Sequence, residues 1–469
     1  MKGLQMAVAD PIIEQLGTDN FADYERSVYN SYQETAEREI VEKLNVLLTT
    51  PEFIQILKMW AARCGCKFDG FRDINIRLKS GRKWKVSSPV FLKAKPKKRG
   101  RSPKRQKGRL RHLGLELLGI IKKVTPALFE ICIAMAVLCP SFEVAANALK
   151  NFGVEMNQHL LQNITHRFAD LAMTVRVDCH AQEAWQKPGI KILICVDGGR
   201  LRERRTKRGK RKKGLKRQGF HSDWIEPRLL SISQFDENGK KIKSIAPIID
   251  GSCGNMDEFF DLLKQHLLQI NLTGASQIIF CSDNGPGIWS RTDRLIKNLK
   301  LHSAKQIIDY THAKQNIDSV VSTIASSLKL SKKENDKLAL QIKNLLWNGD
   351  IAGIQDIARE KLYRKRKAPK VVRKKLENYF GDHSKFQYKT FENNHLPTGS
   401  GSIESAIRRI INLRIKGTGM FWKRRHAENI IFLRSIVLTG KLKMTCEKTC
   451  GIVKKMFDKN ILEDLPMAA

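Results

Sequence analysis

Acidic residues are what this chain lacks: 47 Asp and Glu stand against 85 Lys and Arg in 469 residues, a formal net charge of +38. A deficit that large points to a polyanionic partner, nucleic acid first and an anionic membrane surface as the rival. Long hydrophobic runs are missing too. The longest apolar stretch, Ala127 to Cys139, is interrupted by Glu130 and too short to span a bilayer, so no membrane insertion is expected. The N-terminal residues, with Asp10, Glu14 and Asp19, lack the basic-then-apolar order of a signal peptide. A cytoplasmic location is therefore expected, or a nuclear one if the source is eukaryotic. No internal repeat is found.

Cysteine is ordinary in number, ten in 469 residues, and poorly spaced for metal. Most of the ten cysteines, such as Cys132, Cys139, Cys195 and Cys281, lie in apolar contexts and read as reduced core thiols. Cys64 and Cys66 have no second pair within a ribbon's reach, which argues against zinc. Cys446 and Cys450 share one helix face and read as tail packing.

What is present centres on Lys191-Ile-Leu-Ile-Cys-Val-Asp197-Gly-Gly-Arg200. Five consecutive apolar residues closed by glycine predict a strand buried on both faces, with Asp197 at its carboxyl end. The same grammar returns in Gln277-Ile-Ile-Phe-Cys-Ser-Asp283-Asn-Gly285. A third acid, Glu404, lies in Gly399-Ser-Gly-Ser-Ile-Glu-Ser405, where small residues open a helix and place it in the first turn. Two strand-end aspartates and a helix-borne glutamate are the raw material of a divalent-metal site. Singly, each has a plainer reading: Asp-Gly and Asp-Asn-Gly are common turns, and an acid in a first turn complements the helix dipole.

The surrounding pattern predicts an α/β protein. Residues 22 to 60 read as helical, and Phe71 to Lys79 and Lys83 to Ser88 read as a hairpin around Ser80-Gly81-Arg82. Lys93 to Arg111 holds eleven basic residues in nineteen, broken by Pro and Gly, and reads as a solvated linker or a phosphate-contacting arm. Helices follow to Ala172. One runs from Phe142 to Lys150, and the next carries Asn157, Gln158, Gln162, Asn163 and Arg167 on its polar face; a helix-turn-helix reader and any αα-hairpin both fit. After Asp197, Arg200 to Arg217 holds twelve basic residues in eighteen and reads as an extension between strands. Leu229 to Phe235 and Ile245 to Ile249 complete a three-stranded antiparallel meander, and Asn255 caps a crossover helix. A further helix around Asp293 to Leu299 leads to Gln306-Ile-Ile-Asp309-Tyr-Thr-His312.

These blocks, with Arg414-Ile-Lys-Gly-Thr-Gly-Met-Phe-Trp422 after Glu404, resemble DDE-type transposases of bacterial insertion sequences over about residues 110 to 440. The resemblance implies an RNase H-like mixed sheet core with a helical insertion, preceded by a helical, helix-turn-helix-like DNA-binding region. The expected segments are 1–112, a helical and hairpin region with the basic linker; 113–187, the DNA-binding region; 188–317, the first part of the core; 318–395, the helical insertion; 396–440, the final core helix; and 441–469, a tail. Asp197, Asp283 and Glu404 are implied as the catalytic residues that bind two Mg²⁺ or Mn²⁺ ions, with roughly 3.5 to 4 Å between the ions. Asp309 and His312 resemble an auxiliary pair; a helix-capping Asp with a packed His is the other reading.

The implied reaction is phosphodiester hydrolysis at element ends and strand transfer into target DNA. The implied partners are double-stranded DNA, as terminal inverted repeats and target, and further copies of the chain as a homo-oligomer. Backbone contact is assigned to Arg200, Arg202, Arg204, Arg205, Lys210, Arg211, Lys212 and Lys213, and to Arg408, Arg409, Arg414 and Lys416 on an outward helix face. Trp224, Trp289 and Trp422 flank these segments, as core residues or as stacking platforms. A structure-selective nuclease with the same core, a non-catalytic DNA-binding regulator, and a charge-only nucleic-acid coat protein stay open at this point.

Overall fold

The computed structural model describes residues 21–93, 109–180, 185, 187–210, 214, 218–362 and 368–462. Arg211, Lys212, Lys213 and most of the 93–111 basic run lie outside them. The chain is a mixed α/β protein of two units, one formed by Met1–Ala172 with Leu442–Ala469, the other by Met173–Lys441. Among the described residues no helix is long and apolar enough to cross a membrane.

The first unit opens with helices α1 (Phe21–Thr49) and α2 (Pro51–Arg63), then strands β1 (Cys66–Arg77) and β2 (Lys83–Lys93) in the hairpin that alternation predicted, longer than expected at both ends. The last residues of the basic run are a strand rather than linker: β3 (Arg109–Arg111) pairs with Phe91 to Lys93 of β2. Helix α1 lies on this sheet through Val41 and Leu48, with Ile74, Ile76 and Val86 below. One acid goes into that core. Glu37, 3% exposed, accepts from Ser80 N at 2.8 Å, Ser80 Oγ at 2.7 Å and Trp84 Nε1 at 2.9 Å, so both its oxygens have hydrogen-bond donors inside the core.

Helices α3 (Leu113–Leu117), α4 (Pro126–Leu138), α5 (Phe142–Asn151) and α6 (Gln158–Ala172) follow. Pro126 starts α4 at its first turn and Ser141 caps α5 through Val144 N. Helix α6 buries Leu161, Ile164, Phe168 and Ala172 and leaves Gln158, Asn163 and Arg167 exposed. Two C-terminal helices, Leu442–Cys450 and Ile452–Leu462, belong to this unit, with Cys446 and Cys450 buried. Cys64 and Cys66 belong to no ligand cluster among the described residues.

The second unit is built on a five-stranded sheet in the order β10-β9-β4-β7-β8. Strand β4 (Lys191–Gly198) runs antiparallel to β7 (Arg228–Phe235), which runs antiparallel to β8 (Ile248–Ser252). On its other side β4 runs parallel to β9 (Gln277–Ser282), and β9 parallel to β10 (Lys305–Ile308). Ile192 to Val196 are all buried, each apolar side chain removed from water being worth about 1.5–3 kcal/mol.

Two sequence expectations are corrected. Strand β8 starts at Ile248, not Ile245, because Ile245 turns back on Ile242 and Pro247 has no N–H for a ladder. The basic stretch after β4 is not an irregular extension in its described part: β5 (Leu201–Thr206) pairs antiparallel with β6 (Phe220–Ile225) as a separate hairpin.

Helix α7 (Met256–Leu268), capped by Asn255 through Glu258 N, crosses from β8 to β9, and α8 (Ile288–Asn298) crosses from β9 to β10. Beyond β10 the described residues from Tyr310 to Asn393 are helical with no strand: α9 (Tyr310–Leu328), α10 (Lys332–Asn348), α11 (Ile351–Leu362), α12 (Ala368–Tyr379) and α13 (Tyr388–Asn393). The chain then returns to the sheet as α14 (Gly401–Ile407), which packs on β4 and β7 and runs into a π-helical turn at Arg408–Asn412; α15 (Arg424–Leu438) packs on β8.

A charged cluster ties β8 to this scaffold. Asp250, wholly buried, accepts from Arg176 Nε at 2.7 Å and Nη2 at 2.6 Å, from Gly251 N at 2.8 Å, and pairs with His266 Nε2 at 2.9 Å. Arg176 also reaches Glu428 at 2.9 Å. Burial alone would raise the Asp250 carboxyl, but Arg176 and His266 outweigh it and hold it well below the usual carboxylate range. A depressed carboxyl stabilises fully above its unfolded value, ~3.9, and loses that contribution as pH falls toward the folded value. Arg176→Met should therefore cost about 3–5 kcal/mol in urea unfolding by stranding a buried anion. Parent protein should lose stability below pH ~4 more steeply than Asp250→Asn; equal acid slopes would contradict this account of the cluster.

Candidate active site

Strand register decides where the acids fall. Val196 pairs with Ser282, and Ser282 with Ile308, so Asp197, Asp283 and Asp309 are the next residues on three adjacent parallel strands. Neighbouring strands are about 4.8 Å apart, so one sheet edge carries three carboxylates in a row. Backbone donors orient them. Asp197 Oδ1 accepts from Gly198 N at 2.6 Å, and Asp283 Oδ1 from Gly285 N at 3.2 Å. Between them Ser282 Oγ donates to Val196 O at 2.7 Å, locking the two strand ends together.

Asp309 has a different task. It is 1% exposed and caps α9: Oδ1 accepts from His312 N at 2.8 Å, while Oδ2 accepts from Ser400 N at 2.5 Å, at the start of the Glu404 helix. Tyr310 N donates to Thr398 O at 3.0 Å alongside. The capping role open in the sequence is realised, and through Ser400 it also fixes where α14 begins. Burial favours the neutral acid, but the His312 and Ser400 donors outweigh it and hold Asp309 at about 2.

Helix α14 brings Glu404 to the same edge. One ligand atom each from Asp309, His312 and Glu404 lie within 4.8 Å of one another, and Glu404 itself is exposed. Asp197 feels the whole group: burial first, then repulsion from Asp283 and Glu404, push its carboxyl up to about 6 against the Gly198 N–H and His312. His312 is the compensating cation. Its Nδ1 lies 3.2 Å from Asp309 Oδ1, off the line of a good hydrogen bond, and Asp309, followed by Asp283 and Asp197, raises it to about 9. Asp309, His312 and Glu404 thus cluster, and Asp283, His312 and Glu404 lie close enough to Asp197 for their charges to act on it.

The predicted basic contacts divide. Arg200, Arg202, Arg205, Lys210, Arg408, Arg409 and Lys416 are exposed, and Arg204 is half-buried. Arg205 is paired with Asp223 across the β5–β6 hairpin. Arg414 was expected on an outward face and is instead 2% exposed, its guanidinium 5.5 Å from the Trp422 ring; the π-helical turn ends at Asn412 and Arg414 lies in the turn that follows, facing inward. Trp289 is core and Trp422 half-buried, its Nε1 on Ile415 O at 3.0 Å, whereas Trp224 is 55% exposed. Sequence reasoning did not anticipate the Arg176, Asp250, His266 and Glu428 cluster; a carboxylate inside an apolar strand was its one visible sign.

The second group of possible ligands, His180, Asp250 and His266, is buried away from solvent, and both Asp250 oxygens are already taken by Arg176, Gly251 and His266. No family model and no curated protein matches the chain. Among solved structures it is similar to the Drosophila P element transposase strand transfer complex, at 11% sequence identity and a TM-score of 0.24, over 74% of this chain and 90% of that one. A likeness at that TM-score carries no argument, so the reading of the site rests on its geometry.

If Asp309 is the staple between α9 and the Glu404 helix, Asp309→Ala should cost at least the ~1–2 kcal/mol of a lost cap. It should also raise hydrogen exchange at Ser400 to Glu404. Unchanged exchange there would leave Asp309 a cap for α9 alone.

Proposed function

We propose that the chain is a DNA transposase with an RNase H-like core, acting by metal-dependent phosphodiester hydrolysis and strand transfer. The observation that carries this reading is the convergence of Asp197, Asp283 and Glu404 on one edge of a five-stranded mixed sheet in a chain of net charge +38. The strand order, three antiparallel strands followed by two parallel ones on the far side of the first, is the order such a core requires. A helical excursion between the last strand and the Glu404 helix fits the same plan.

The donor set fits Mg²⁺ or Mn²⁺. Carboxylate oxygens suit hard divalent cations, and Asp197, raised first by burial, also feels the charges of Asp283 and Glu404 against that of His312. Asp197, Asp283 and Glu404 would hold the ions, which when bound supply activation of a water or 3′-hydroxyl and charge neutralisation at the leaving oxygen. The protein's own groups do the positioning. Gly198 and Gly285 N–H fix the two aspartates, Asp309 fixes the start of α14, and His312 keeps a proton at neutral pH that balances part of the carboxylate charge. The exposed Arg200, Arg202, Arg408, Arg409 and Lys416 supply phosphate contacts, and the exposed polar side of α6 offers a base-reading helix.

Asp283→Asn should abolish cleavage of duplexes bearing the sequences that flank the gene and keep their binding within about twofold. Equal cleavage by variant and parent would refute the assignment. Mn²⁺ should raise the parent's melting temperature, the gain reaching ~2.7 kcal/mol at a hundredfold excess over Kd, and leave Asp283→Asn unmoved. Pre-nicked ends with a target plasmid separate transposase from nuclease, since only the former yields joined product.

A further inference from the structure

We propose that the β5–β6 hairpin carries a binding face for unpaired nucleic acid, a single-stranded segment next to the reacting phosphate. The inference rests on the nucleic-acid reading of the site and specifies which form of the strand this face takes. In the hairpin register Arg202 sits opposite Trp224, Arg204 opposite Ser222 and Thr206 opposite Phe220, so these residues share one face. The strand segment of Trp422 adds to the free edge of β5, with Trp422 N donating to Arg202 O at 3.0 Å and Arg204 N to Trp422 O at 2.7 Å.

On the shared face cations and rings interleave. The Arg202 guanidinium lies 5.1 Å from the Trp224 ring and 5.6 Å from Phe421, Arg204 lies 4.3 Å from Phe220, and Phe220 meets Phe421 edge-on at 5.3 Å. Alternation sends the acids the other way. Glu203 is buried against Arg424, and Asp223 pairs with Arg205. Among the described residues neither Arg202 nor Arg204 forms an ion pair with a carboxylate, so both charges on this face are left for a ligand.

The choice between duplex and single strand follows from π-surface. In a duplex each base face is covered by its neighbours, so an exposed indole beside ordered guanidinium groups finds a partner only where bases are unstacked. Arginines alone would serve either form.

The test uses full-length Asp283→Asn protein, in which no cleavage complicates binding, with fluorescent twelve-nucleotide single strands and the matching duplex at several salt concentrations. Trp224→Ala should weaken single-strand binding about tenfold at every salt concentration without changing the salt slope, and duplex binding by less than twofold. Trp224→Phe should restore most of the loss, and Arg202→Ala should reduce the slope by ~0.7. Equal losses on single strand and duplex, or no loss on either, would overturn the proposal. Circular dichroism matched to the parent excludes misfolding, and Trp224 is exposed. Cleavage retained by Asp283→Asn would instead remove the transposase reading, while the single-strand preference is read from binding alone.

Discussion

Like charges brought together at a sheet edge repel, and the second unit is arranged around that problem. Three aspartates end adjacent strands and a glutamate arrives from a helix, in a neighbourhood where burial amplifies every pairwise term. One of the four is neutralised by the protein: Asp309 is held ionised by two backbone N–H groups and His312. Asp197 is pushed up, by burial first and then by Asp283 and Glu404.

Rigidity comes from the strands and closure from hydrogen bonds between distant segments. Register places the aspartates to within a residue, because a slip of one would turn each of them to the opposite face. Gly199 approaches Ile411 so closely that a side chain there would collide with it, which brings the turn after Asp197 against the helical segment following Glu404. The buried Asp250 cluster anchors β8 by charge rather than by apolar contact, a costly device in isolation that Arg176 and Glu428 make stable together.

Much of this was legible in the residues. Apolar runs closed by Asp-Gly marked β4 and β9 correctly, and Asn255 and Pro126 marked helix starts where they occur. Asp197 and Asp283 were legible as the residues that close strands, and Glu404 as an acid in a first helical turn. What the sequence hid had physical causes. The β5–β6 hairpin was masked by charge, because the buried face of β5 carries Glu203, held by Arg424, beside Leu201, so Leu201-Arg-Glu-Arg-Arg-Thr206 shows no apolar alternation. Arg414 was misplaced because the helical segment ends at Asn412 and the chain turns after it, so helical spacing no longer sets which way it faces. Asp250 was passed over because a partner 74 residues away in sequence cannot be seen from local pattern.

Asp309 and Ser400 are 91 residues apart in sequence yet joined by one hydrogen bond, with Tyr310 and Thr398 paired beside them. The helices between leave and re-enter the fold through a single doorway. Such an excursion is modular: loop closure depends only weakly on contour length, so the material inside can lengthen, shorten or be exchanged while the doorway and the acids beyond it stay in place. Diversity in what this scaffold embraces can thus be written into the excursion without rewriting its chemistry.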